Sequence, residues 1–72
     1  MADIQRMPVV SSNVSSVGYD PDTQTLEVEF NTGSVYSYEG VPQAEYDNLL
    51  SAQSVGSYFA RNIRNVYRAR QS

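Results

Sequence analysis

The alternation over Thr25–Phe30 narrows the fold more than any other feature of the chain. In an extended backbone Leu26, Val28 and Phe30 point one way, and Glu27 and Glu29 point the other. A period of two belongs to a strand with one dry face and one wet face. The next three residues, Asn31-Thr32-Gly33, end on glycine, the residue that enters the left-handed region without steric cost. A three-residue loop with glycine last is the pattern of a type I turn plus bulge. It sets Phe30 opposite Ser34, Val28 opposite Tyr36 and Leu26 opposite Tyr38. Tyr36 and Tyr38 then share the apolar face, while Val35 and Ser37 lie with Glu29 and Glu27. A two-residue turn would send both tyrosines to water, because a slip of one residue exchanges the faces. The position of Gly33 selects the buried register.

Other segments follow from local rules. Met1–Arg6 has no periodicity and is expected to fray. Met7-Pro8-Val9-Val10 is apolar and extended, and either adds a short edge strand or covers the core. Val14–Tyr19 is a weaker strand with Val17 and Tyr19 on one face, closed by the turn cluster Asp20-Pro21-Asp22-Thr23-Gln24. Gly40-Val41-Pro42 opens a helix whose apolar face is Tyr46, Leu49 and Leu50, running to about Ala52. Gln53 is the joint, and Ser54 is placed to cap a second helix. On a wheel of 100° per residue, Val55, Phe59, Ile63 and Val66 fall within about 80° of arc. Arg61, Arg64 and Arg68 fall within about 60° on the opposite side. The expected architecture is α+β: a three-stranded, or four-stranded, antiparallel meander followed by two helices packed on one face. Residues 1–10 are expected as a flexible or extended arm and residues 11–70 as one domain.

Length and composition set bounds. Seventy-two residues make one domain that buries roughly 60% of its unfolded surface, with stability of about a few kcal/mol. There is no cysteine, histidine or lysine. The common zinc sites, Ser–His and Cys–His nucleophiles, Schiff-base chemistry and the phosphate-loop lysine are therefore excluded. An enzyme would have to work with carboxylates, tyrosines and arginines, so the expectation is a non-catalytic protein with no cofactor and no metal. Asp20-x-Asp22 resembles the start of a calcium loop, but Thr25 stands where that loop needs glycine and Asn31 where it needs glutamate. Glu27 and Glu29 share a strand face, yet nothing apolar beside them would raise either carboxyl. They form a solvated face and a secondary candidate surface for a partner. No apolar run reaches the ~20 residues of a membrane span, and no signal-peptide pattern opens the chain. A soluble, cytoplasmic protein is expected.

Charge is divided along the chain. All five basic residues are arginines, and four of them, Arg61, Arg64, Arg68 and Arg70, lie near the C-terminus. Asp20 to Asp47 carries seven acidic residues and no base, and the net charge is −3. The arginines, with Tyr58 and Tyr67, which flank the apolar stripe, are the best candidate contact surface: guanidinium groups fork onto phosphates and carboxylates and stack on planar groups. Placing cations at a helix C-terminus also supports the helix itself. Tyr36 and Tyr38 suit a base-stacking platform in composition, while the hairpin register assigns them to the core.

Taken together, Gly18-Tyr19-Asp20, Leu26-Glu27-Val28-Glu29-Phe30, Gly33, Tyr36-Ser37-Tyr38, Val41-Pro42, Tyr46, Leu49, Ala52, Ser54, Gly56, Tyr58-Phe59, Ile63-Arg64 and Tyr67 resemble the KTSC family. That family is named from the C-terminal domain of some lysyl-tRNA synthetases. The resemblance covers about residues 11 to 68. It implies a module found as a synthetase appendage and as small stand-alone proteins of bacteria and their viruses, with RNA binding as the suggested role. The absence of lysine and the negative net charge depart from a generic RNA binder. Two functions are therefore expected: a module contacting RNA or a ribonucleoprotein through Arg61, Arg64, Arg68 and Arg70, or a protein-binding regulator docking on a large enzyme such as the transcription machinery.

Overall fold

The hairpin forms in the expected register. A computed structural model describes residues 4–71. In it β3 (Thr25–Phe30) pairs with β4 (Val35–Tyr38), with Leu26 opposite Tyr38 and Val28 opposite Tyr36. Gly33 takes φ +94°, and the Phe30 amide donates to the Ser34 carbonyl at 2.9 Å. β2 (Val14–Asp20) pairs antiparallel on the other side of β3, with Val17 opposite Val28 and Tyr19 opposite Leu26. The register shifts between Val14 and Ser16. One extra residue there lets Val14 and Val17, an odd number of positions apart, both reach the core. The same bulge explains why the alternation of this strand is weak in the sequence.

The sheet has five strands, two more than the meander alone. β1 (Met7–Pro8) pairs with β2 at one edge, and Val9 packs on the core, so both roles left open for this segment are realised. Residues 1–3, part of the segment expected to fray, lie outside the described residues. From Ile4 the chain runs against Gly18: a Cβ there would stand 2.6 Å from the Gln5 carbonyl oxygen and 2.7 Å from Ile4 Cγ2. Arg6 then pairs with Glu27. Where the sequence leads one to expect fraying through Arg6, Ile4–Arg6 lie in an irregular segment set against Gly18 and Glu27. At the opposite edge β5 (Ala69–Gln71) lies antiparallel to β4, giving the order β1-β2-β3-β4-β5.

Two helices cover the apolar face. α1 (Gln43–Ser51) follows Pro42, whose extended backbone makes it the N-cap, and sends Leu49 into the core. α2 (Val55–Asn62) starts at Ser54, where the hydroxyl accepts from the Ser57 amide at 3.3 Å. Val55, Phe59 and Ile63 descend onto Val14, Val17, Leu26, Val28 and Tyr38. The Phe59 ring meets Phe30 and Tyr38 edgewise at 5.5 and 5.3 Å, and Tyr19 stacks on Tyr46 at 5.1 Å.

The second helix is shorter than its hydrophobic period predicts. It stops at Asn62, and the amides of Val66 and Tyr67 both return to the Ile63 carbonyl in a tight turn. Asn62 and Asn65, weak helix formers that favour turns, bracket the break. Val66, placed in the apolar stripe by the wheel, is 63% exposed. The turn returns the chain to the open edge of β4, where the Glu39 amide donates to the Arg68 carbonyl at 3.1 Å and β5 continues the ladder.

This break predicts unequal costs for two residues that a continuous helix would bury alike. Ile63→Ala should destabilise by about 2–5 kcal/mol, and Val66→Ala by no more than about 0.5 kcal/mol. Urea unfolding of the two variants measures both. Similar losses would contradict the turn.

Candidate functional site

The arginines do not form one helical stripe. Arg61 lies in the last turn of α2, Arg64 in the following turn, Arg68 just before β5 and Arg70 on β5. Because α2 ends at Asn62, the common face drawn on the wheel dissolves. In antiparallel pairing directly opposed residues share a face. Arg70 opposes Ser37, which opposes Glu27, so Arg70 stands on the outer face of the sheet, away from the helices. There it bonds Glu39 at 3.3 Å, an exposed ion pair that contributes little stability. Arg61, Arg64 and Arg68 are exposed and have no carboxylate partner among the described residues.

The other candidates are drawn inward. Tyr58 is half-buried and donates to Glu45, tying α2 to α1. Tyr67 is half-buried against the core. The secondary surface of Glu27 and Glu29 is not a free acidic face: Glu27 pairs with Arg6, and Glu29 accepts from the Ser16 hydroxyl at 2.9 Å. The early strand and the N-terminal arm supply partners that the local alternation does not reveal. Tyr38 is buried as the register required, and Tyr36 is half-buried beside it.

A groove absent from the sequence reading lies between α2 and the β4–β5 edge. It encloses about 460 Å³ and is walled by Phe30, Tyr36, Tyr38 and Phe59. Gly56 and Ala60, one helical turn apart on α2, recess the wall opposite, while Asn13, Arg64 and Asn65 form the rim. Ala69 of β5 closes one side, as its pairing with Tyr38 requires. A sequence signal for this recess existed in the two small residues at i and i+4, next to the large Val55 and Phe59. A second, shallower opening shares Asn13, Phe30 and Tyr36 and runs on to Asn31, Thr32 and Ser34. Among the described residues no cluster of three or more acidic side chains is placed to hold a metal ion, and no helix is long and apolar enough to cross a membrane.

The KTSC domain profile matches residues 10–67, most of the chain. This chain belongs to the KTSC family. The KTSC fold seen here superposes on the crystal structure of a KTSC domain protein from Yersinia pestis with a TM-score of 0.94 and 40% identity, covering 97% of this chain and 99% of that one. A protein of Stutzerimonas stutzeri is 46% identical over 56 residues, 78% of this KTSC chain and 79% of its own length. A lysine–tRNA ligase of a Nostoc species is 38% identical over 60 residues, which is 83% of this chain and 11% of the ligase. The KTSC domain thus matches both small proteins and a segment of a far larger one.

Four tyrosine hydroxyls of the KTSC fold have pKa values raised above the ordinary tyrosine value. Burial is the main cause for Tyr38, with Tyr36 adding to it and the nearby Arg64 charge opposing it. Burial also leads for Tyr19 and Tyr46, with Asp20 and Asp47 adding repulsion to Tyr19 and Asp47 to Tyr46. For Tyr58 the hydrogen bond to Glu45 comes first and burial second. A raised folded pKa means the unfolded chain loses its phenolic protons first. Stability is therefore intact below the unfolded value of about 10 and falls as pH rises above it. Urea midpoints measured from pH 8 to 11 should decline above about pH 10. A flat profile would contradict the burial of Tyr19, Tyr38 and Tyr46 and the Tyr58–Glu45 hydrogen bond together.

Proposed function

We propose that this KTSC domain is a non-catalytic, cytoplasmic module that contacts single-stranded RNA, free or within a ribonucleoprotein, through its C-terminal arginines. The observation that carries this is the state of three cations. In a chain with net charge −3, Arg61, Arg64 and Arg68 stay exposed and without a carboxylate partner among the described residues. An acidic protein has carboxylates to neutralise them, and elsewhere it does so at Arg6 and Arg70. Guanidinium groups left free match phosphates in charge and geometry. The likeness to a segment of lysine–tRNA ligases supports an RNA setting. Arg70 takes a minor part, since it would first have to release Glu39.

A second reading has its own observation. Met7, Val10 and Leu50 are exposed apolar side chains around a groove between the N-terminal segment and the end of α1. That patch suits a protein partner of the kind a regulator docks on, at a site apart from the arginines.

Salt dependence tests the first reading. If three arginines each neutralise one phosphate of a single strand, log K against log salt should slope at about −2, near −0.7 per contact. Exchanging Arg61, Arg64 and Arg68 for glutamate should abolish binding of unstructured RNA measured by filter retention at low salt. Undiminished binding by that triple variant would contradict the assignment.

A further inference from the structure

We propose that the groove between α2 and the β4–β5 edge receives an unpaired nucleobase of single-stranded RNA, with Arg64 on the adjoining phosphate. This rests on the RNA reading above and assigns it a pocket. The volume, about 460 Å³, lies within the range of small-ligand sites. Its walls are aromatic, and planar bases stack on aromatic rings whatever their identity. Phe30 and Tyr36 meet at 78° with centroids 5.6 Å apart. Such a pair uses at most one face of each ring, so half-exposed Tyr36 keeps a face for stacking.

The rim selects the occupant. Asn13 and Asn65 are exposed and carry both donors and acceptors, which suits the polar edge of a base. Arg64 brings a positive charge to the same opening, close enough to Tyr38 to oppose the upward shift of its hydroxyl. An apolar peptide side chain would use the rings and leave the amides and guanidinium idle. A simple anion would use Arg64 and leave the part-exposed rings of Phe30 and Tyr36 idle. A nucleotide engages all three.

The surroundings extend the path. Arg64 is the one arginine among the groove's lining residues, so the phosphate contact at the pocket rests on it. The shallower opening toward Asn31, Thr32 and Ser34 gives the next nucleotide a polar exit. Gly56 and Ala60 create the space: a larger side chain at either position would project into it. For Gly56 a Cβ would already stand 3.0 Å from Ser11 Oγ, so Ala60 is the cleaner position to fill.

The experiment compares a dye-labelled oligoadenylate of about ten nucleotides with an abasic ribose-phosphate chain of the same length, by fluorescence anisotropy at low salt. Wild-type protein should bind the base-bearing strand about tenfold or more tightly, the worth of stacked bases. Ala60→Leu should erase that preference and keep the weaker, salt-sensitive binding of the abasic chain. Asn13→Ala, a change at the other exposed rim amide that leaves the core and the turn after α2 untouched, should cut the preference severalfold and guards against misfolding of the first variant. Equal binding of the two strands by wild type, or full preference in both variants, would overturn the groove and leave the arginine contacts standing. Failure of wild type to bind either strand would overturn both.

Discussion

The register of the β3–β4 hairpin is the constraint on which the rest of the molecule depends. Gly33 at φ +94° fixes the loop at three residues, and the pairing then puts Leu26, Val28, Phe30, Tyr36 and Tyr38 on one face. A slip of one residue would turn Val35 and Ser37 inward in place of Tyr36 and Tyr38 and send both tyrosines to water. Phe59 descends between Phe30 and Tyr38, and with Val55 and Ile63 it seats α2. The seat of α2 in turn determines where the chain leaves the helix, and so where Arg64 stands. The groove exists because Gly56 and Ala60 face the same aromatic surface that Phe59 grips.

Features set by neighbours in the chain were legible in the sequence. The hairpin, the Ser54 cap, the turn at Asp20–Gln24 and the order of strands before helices all follow from local rules. Features set by distant partners were not. Ala69-Arg70-Gln71 is too short to show a period, and it becomes a strand because β4 offers an unpaired edge. The end of α2 was masked by Val66, whose spacing fits the apolar stripe although the residue is 63% exposed. The strand at Val14–Tyr19 was legible, but Ser15 at its bulge hid the burial of Val14 beside Val17. The arginines were recognised as a group, but their shared face assumed a helix that stops too early.

The charge pattern gains a more specific meaning from the fold. Two of the five arginines are ion-paired among the described residues: Arg6 on the outer face with Glu27, and Arg70 with Glu39. The acidic strand face is thus partly neutralised from within, and it is a weaker candidate for a partner than the sequence implied. Arg61, Arg64 and Arg68 are left without such partners among the described residues, and Arg64 stands at the rim of a pocket of rings and amides. Membership of the KTSC family and the match to lysine–tRNA ligase segments support the proposal that this surface meets RNA.

Amide chemical-shift mapping during titration with unstructured RNA at low salt tests the central claim most directly, because it reports the location of contact along with its existence. Shifts should concentrate at Tyr36, Gly56, Ala60, Arg61, Arg64, Asn65, Arg68 and Ala69. Shifts confined to Met7, Val10 and Leu50, or none at saturating RNA, would contradict the account.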